Sequence, residues 1–155
     1  MKAKHAIKTL ALSALLLSPL AQANLNVMPH EPYARAMAPG AVTSAVFVTF
    51  ANRSQEDINI VAAETPAAGK VELHDVIKEG DVMKMRQVDH ITLTAKETTE
   101  LKPGSLHIML FDLKKPLNEG DEIEVTVTYG NGQKQSFTAP VKKVMAGMKK
   151  HEHHH

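Results

Sequence analysis

The clearest alternation of hydrophobic and polar residues lies between residues 122 and 129. Side chains along a β-strand point to opposite faces in turn, so a strict alternation predicts a strand with one buried face. The Gly130-Asn131-Gly132 segment that follows predicts a turn into a partner strand at residues 133–138. The alternating apolar residues are Ile123, Val125, Val127 and Tyr129, and the polar ones are Glu122, Glu124, Thr126 and Thr128.

Shorter β-rich runs, separated by turn residues, occupy the rest of the chain. Such closely spaced strands, without a convincing amphipathic helix among them, predict an all-β, immunoglobulin-like β-sandwich made of a single domain. The segments 65–69 and 102–104 contain Pro and Gly and predict breaks. The predicted strands cover residues 33–36, 44–50, 58–62, 90–94 and 98–101.

The stretch 71–86 predicts a hairpin that brings a histidine close to a methionine. Two β-rich runs flank Glu79-Gly80, and a glycine supplies the positive φ that a tight turn requires. A two-residue loop at Glu79-Gly80 places His74 directly opposite Met85. Directly opposed residues share a face of the sheet, with their Cβ atoms about 4.5–5.5 Å apart.

A second histidine and methionine lie on one face of a later strand. The segment Leu106-His107-Ile108-Met109-Leu110 alternates, so His107 and Met109 point one way and the three aliphatic residues point the other way. We therefore expect the aliphatic residues to face the core. The imidazole and the thioether should face away from it.

Together, His74, Met85, His107 and Met109 form a candidate metal site. Thioether sulfur is soft and uncharged, so it suits Cu(I) and is a poor ligand for Mg, Ca or Mn. Four neutral ligands leave a monovalent ion with a net charge of +1, whereas a divalent ion would remain at +2. Each residue alone has an ordinary interpretation, because methionine often fills cores and a strand histidine is usually hydrogen-bonded. Their joint spacing favours a Cu(I) site.

The spacing also resembles that of a known family. His74, ten residues, Met85, twenty-one residues and then His107-Ile108-Met109 match the H-x10-M-x21-H-x-M pattern of the periplasmic copper chaperone family PCuAC. The resemblance covers roughly residues 30–141, nearly the whole predicted domain. Further similar segments are Tyr33-Ala34-Arg35-Ala36-Met37-Ala38-Pro39-Gly40, Val71-Glu72-Leu73-His74, Met83-Lys84-Met85-Arg86, Leu101-Lys102-Pro103-Gly104 and His107-Ile108-Met109-Leu110.

The resemblance implies more than the residues do alone. It implies a cupredoxin-like β-sandwich that carries Cu(I) toward the dinuclear copper centre of cytochrome c oxidase. The implied protein partners are subunit II of that oxidase, a Sco-like thiol copper protein, or both.

Residues 1–23 have the composition of a cleavable secretory signal. Three lysines precede a short apolar run, and Ala21-Gln22-Ala23 is a small-x-small cleavage site. The run is shorter than the roughly 20 apolar residues of a transmembrane helix. We expect a soluble periplasmic protein with its domain at residues 24–141 and no membrane span. Removing the signal takes three of the 18 Lys and Arg residues and none of the 17 acidic ones, which leaves a net charge of −2 and no basic surplus for nucleic acid.

The last segment, residues 142–155, predicts a flexible tail rich in methionine and histidine. Its imidazoles suit Cu(II) or Zn(II) as well as Cu(I), so it is a candidate second site unless it is an affinity tag. Near the start of the domain, Met28, His30 and Met37 are also potential ligands, but packing is the favoured interpretation. The candidate tail ligands are Met145, Met148, His151, His153, His154 and His155.

The sequence is also compatible with two other functions. A periplasmic copper buffer without a dedicated recipient would use the same ligands, and a metal-free β-sandwich would act in adhesion or assembly. The chain has no cysteine, and a blue-copper electron-transfer site requires a cysteine thiolate. No Ser/His/Asp arrangement, phosphate-binding loop or paired carboxylates indicate catalysis.

Overall fold

The computed structural model describes residues 26–144, which form ten β-strands. They are β1 (Val27–Arg35), β2 (Thr43–Asn52), β3 (Ile58–Glu64), β4 (Ala68–Glu79), β5 (Val82–Gln87), β6 (Ile91–Leu93), β7 (Thr98–Leu101), β8 (His107–Leu113), β9 (Glu122–Tyr129) and β10 (Lys134–Lys142).

The strands form two antiparallel halves that share one core. The first half has the order β5-β4-β8-β2-β1, with β7 also pairing with β2, and the second has the order β10-β9-β3-β6. A short parallel pairing of β1 with β10 joins them. Phe50 of the first half meets Phe137 of the second edge-to-face, with ring centroids 6.2 Å apart. The all-β fold predicted from the sequence is confirmed.

Alternation along β8 and β9 determines which side chains reach the core. In β9 the four predicted apolar residues are all buried. In β8, Ile108 and Leu110 are fully buried, whereas Met109, between them, is half-buried on the opposite face. The predicted division of β8 into a core face and an opposite face that carries His107 and Met109 is therefore confirmed.

Several strand bounds differ from the prediction. Strand β1 starts at Val27 and not at residue 33, although it contains Pro29 and Pro32, which cannot donate a ladder hydrogen bond. The strand tolerates them because its register against β2 shifts between His30 and Tyr33, which lets the chain bulge there. Strand β4 begins at Ala68, inside the predicted break, and β10 extends to Lys142.

The predicted loop of the β4–β5 hairpin is wrong by one residue, and its pairing is wrong by two. The loop is Gly80-Asp81, with positive φ at Gly80 alone, as in a type II′ turn with glycine first. The prediction placed the glycine second. His74 therefore opposes Gln87, while Met85 opposes Val76. A one-residue slip in pairing would have moved Met85 to the other face, but a slip of two leaves it on the face of His74.

Two sequence predictions lie outside the described residues. These are the signal segment, residues 1–23, and the candidate ligands of the tail between residues 145 and 155. Within residues 26–144 there is no helix with the length and hydrophobicity needed to cross a membrane.

Candidate metal centre

The two candidate histidines lie side by side across neighbouring strands. Strand β8 pairs with β4 so that His74 directly opposes His107, and their ring centroids are 5.8 Å apart. Both are nearly buried, with 8% of His74 and 3% of His107 exposed. Phe47 lies beside His107 and Phe111 beside His74, at 6.3 and 5.8 Å between ring centroids. Aromatic neighbours thus hold both imidazoles in place.

Hydrogen bonds fix which nitrogen of each ring carries the proton. His107 Nδ1 lies 2.8 Å from the carbonyl oxygen of Ser105, and His74 Nε2 lies 2.7 Å from a carboxylate oxygen of Glu72. A carbonyl and an ionised carboxylate can only accept, so both of these nitrogens must donate. In the neutral rings, the remaining nitrogens carry lone pairs. Both His74 Nδ1 and His107 Nε2 are buried without a hydrogen-bond partner among the described residues.

This arrangement is typical of metal-binding histidines. A ligating histidine almost always donates its other ring N–H to a carboxylate or a backbone carbonyl, which fixes the tautomer and orients the ring. A buried lone pair without a donor also carries a desolvation cost, which a metal ion would remove. The two adjacent rings therefore each present one nitrogen whose lone pair has no hydrogen-bond partner and is available to a metal ion.

The turn before β8 positions His107. Ser105 N donates to Lys102 O at 3.1 Å, and Lys102 N donates to Leu106 O at 3.0 Å. Gly104, at φ +81°, allows the chain to close this turn. The turn fixes the position of the Ser105 carbonyl, which accepts the hydrogen bond from His107 Nδ1.

The two methionines reach the cleft from two different strands. Met109 follows His107 on the same face of β8 and opposes Glu72, while Met85 comes from β5. Met85, Met109 and His107 line one open cleft of about 220 Å³, whereas His74 lies beside His107 and does not itself line the cleft. Met85 is 52% exposed, so the cleft is accessible from solvent on the β5 side.

Sequence reasoning overlooked several residues around this cleft. Arg35, Met37 and Phe47 line it, although the sequence pattern favoured only packing for Met37. Glu72 and Ser105 hold the histidines. The alternation of β4 placed Glu72 on the face of His74, since the two are two residues apart, but only the fold shows that they touch.

Burial favours the neutral form of His107. Burial lowers the pKa of His107, the hydrogen bond to Ser105 opposes that shift, and the charges of His74 and Arg35 lower the pKa further. The hydrogen bond from His74 lowers the pKa of Glu72, with Lys70 helping from 3.2 Å. A neutral His107 keeps its lone pair available to a metal.

The shifted pKa of His107 predicts how the stability of the metal-free protein depends on pH. Unfolded, the ring takes a proton near its ordinary pKa of 6.5, whereas the folded ring resists protonation. The unfolded state therefore binds more protons below pH 6.5, and we expect the free energy of unfolding to fall there by up to about 1.4 kcal/mol per pH unit. Chemical denaturation between pH 5 and 8 measures this slope.

A pair of variants distinguishes the contribution of His107 to this slope from that of an exposed histidine. His107→Gln should reduce the slope below pH 6.5, and His90→Gln, at an exposed position, should retain it. A wild-type slope that survives in His107→Gln would contradict the assignment.

The donor set around the cleft differs from the His, Cys and carboxylate clusters of many metal sites. Among residues 26–144, no three side chains drawn from His, Cys, Asp and Glu are grouped so that they could hold a metal ion. The thioethers of Met85 and Met109 add donors that suit a soft ion such as Cu(I).

Comparison with known proteins supports this fold assignment. The model of the family described as "Putative lipoprotein LpqE-like" matches residues 27–141. RP573 of Rickettsia prowazekii is 32% identical over 99 residues, which cover 63% of this chain and 55% of that protein. The chain thus spans little more than half the length of this relative.

Two solved structures share the fold. The copper-bound PCuAC domain from PmoF2 superposes with a TM-score of 0.65 at 18% identity, covering 77% of this chain and 94% of that domain. The Cu(I) form of DR1885 from Deinococcus radiodurans has a TM-score of 0.59 at 31% identity, covering 72% of this chain and 76% of that one. The resemblance predicted from the sequence is confirmed, and the chain belongs to the LpqE-like family with the fold of the PCuAC domain.

Proposed function

We propose that this protein is a copper chaperone that binds Cu(I) through His74, Met85, His107 and Met109. The observation that carries the proposal is the pair of adjacent, buried histidines, each with one nitrogen held by a hydrogen bond and the other unpartnered. The Cu(I) form of DR1885, at 31% identity, supports the choice of ion. So does the neutral, partly thioether donor set.

The site also suits release of its cargo. The two histidines are buried, whereas Met85 lies on an edge strand whose six residues are all exposed. An incoming ligand can therefore approach from the Met85 side and displace one donor at a time. A site enclosed on every side would hold copper but would transfer it slowly.

We also propose where the protein acts and which protein receives its copper. The signal-like segment 1–23 supports export to the periplasm, and the family resemblance supports delivery toward the dinuclear copper centre of cytochrome c oxidase, through subunit II or a Sco-like protein. A deletion strain separates delivery from buffering. Loss of oxidase activity at low copper supports delivery, and sensitivity only at high copper supports buffering.

X-ray absorption on the anaerobically copper-loaded protein tests the donor set. We expect sulfur and nitrogen neighbours in equal number around Cu(I), and the same first shell in a variant that lacks residues 145–155. That comparison also measures any share of copper held by the tail, including Cu(II) after oxidation. A first shell without sulfur would contradict the proposed site.

Glu72 should strengthen copper binding through His74. Replacing Glu72 by Gln removes the carboxylate charge but keeps the side-chain shape, so His74 loses a charge-assisted hydrogen bond. Loss of such an outer partner typically costs about 10–100-fold in metal affinity, and we expect a decrease in that range. Competition with a chromogenic Cu(I) chelator measures it.

Glu64→Gln is the matched control. Glu64 also pairs with a lysine, Lys134 at 3.3 Å, but it contacts neither histidine. Its replacement should leave Cu(I) affinity unchanged. Equal losses in both variants would show that net charge, and not the orientation of His74, is responsible.

A further inference from the structure

Arg35 places a permanent positive charge inside the cleft. Its side chain lines the cleft together with Met37, Met85, His107 and Met109. The guanidinium carbon lies 5.6 Å from the ring centroid of Phe47, and Phe47 in turn lies beside His107. Because guanidinium remains protonated at any pH that the fold survives, this charge cannot be titrated away.

No carboxylate neutralises this charge among residues 26–144. Five lysines of the described chain pair with glutamates within 4.0 Å, but Arg35 has no such partner. Its Nε is buried without an acceptor. The guanidinium N–H groups of a partly buried arginine usually donate hydrogen bonds to a carboxylate or another acceptor. A buried N–H group without an acceptor lowers the stability of the fold. An ion pair therefore does not explain why Arg35 lies here, and its contact in the cleft is with the Phe47 ring.

We propose that Arg35 acts as a charge filter that makes the cleft select monovalent over divalent metal ions. This inference rests on the proposed copper site. The four donors are neutral, so they do not offset the effect of a fixed charge on the cleft wall upon the bound ion. Coulomb repulsion is proportional to the charge of the ion, so Arg35 penalises a divalent ion by twice as much free energy as Cu(I).

The neighbouring acidic groups do not cancel this effect. Glu72 is engaged by Lys70 and by His74. Asp75 accepts a hydrogen bond from Val76 N and does not line the cleft. Among the described residues that line the cleft, Arg35 alone carries a permanent charge.

The test compares Cu(I) with Zn(II), which has no accessible second oxidation state. Both affinities are measured on the full mature chain by chelator competition, with the methyl signals of Met85 and Met109 in NMR spectra reporting binding in the cleft. In Arg35→Gln we expect both affinities to rise, with the gain for Zn(II) equal to the square of the gain for Cu(I). A gain of about threefold for Cu(I) would accompany about ninefold for Zn(II).

Two controls distinguish the positive charge at position 35 from the shape of the side chain there and from the net charge of the protein. Arg35→Lys keeps the charge and should keep the wild-type ratio of affinities. Arg53→Gln removes an exposed arginine that does not line the cleft and should leave both affinities unchanged. If Arg35→Gln does not fold, Arg35→Met, which keeps apolar packing on Phe47, serves for the same measurement.

Equal changes for the two ions in Arg35→Gln, or the same response in Arg35→Lys, would overturn the filter. Failure of the filter is distinguishable from failure of the copper site. In the first case the wild-type protein still shows sulfur and nitrogen around Cu(I). In the second case it shows no sulfur at all.

Discussion

Replacing Met85 and Met109 together by leucine should weaken Cu(I) binding by more than about 100-fold, because loss of an outer-shell partner alone already costs about 10–100-fold. Leucine has a similar volume but no sulfur, so the cleft keeps its shape and loses half of its donors. The two histidines would remain, and two nitrogens alone form a less complete site for a soft ion. Anaerobic chelator competition measures the loss.

The same double variant should remain folded. Exchange of methionine for leucine usually costs less than about 1.5 kcal/mol, and here Met85 is more than half exposed. Circular dichroism and denaturant unfolding check this point. Loss of copper binding with an intact fold separates the chaperone from the metal-free β-sandwich, which predicts little change in any property other than stability.

The matched control exchanges two other methionines. Met28 and Met83 are 41% and 57% exposed, and Met83 lies two residues before Met85 on the same face of β5. Met28→Leu with Met83→Leu removes as much sulfur from the protein as the test variant does. It should leave Cu(I) affinity unchanged, and a comparable loss would mean that methionine content, and not the position of Met85 and Met109, determines binding.

The parts of the site that depend on a single strand could be predicted from the sequence. Alternation alone placed His107 and Met109 opposite to Ile108, because a strand has only two faces. The same rule predicted the buried face of β9. The assignment of Met85 to the face of His74 also held, although its reason was partly wrong, since a pairing error of two residues preserves the face.

The parts that depend on pairing between distant strands could not be predicted. Nothing local indicates that β8 lies between β4 and β2, so the direct opposition of His74 and His107 emerges only from the fold. The position of Arg35 in the cleft also depends on strand pairing, because β1 reaches the site by pairing with β2. The hairpin error had a local cause, since glycine fits either position of a two-residue loop, in different turn types.

The two faces of β8 predict that stability and copper binding can be changed separately within two adjacent residues. Ile108 is fully buried and belongs to the core, so Ile108→Ala should lower the free energy of unfolding by about 2–5 kcal/mol through lost burial and a residual cavity. Met109→Ala, at the next position, removes a half-buried side chain on the opposite face. It should cost less stability and far more Cu(I) affinity.

Denaturant unfolding and chelator competition on both variants measure these effects, at a temperature where each remains folded. In the folded population of Ile108→Ala, His107 and Met109 keep their backbone positions in the sheet, so Cu(I) affinity should remain within a few-fold of wild type, while bound copper should restore part of the lost stability by mass action. If Ile108→Ala lost copper binding as completely as Met109→Ala, the two faces of β8 would not act independently. The ligand positions would then depend on the packing of the core beneath them.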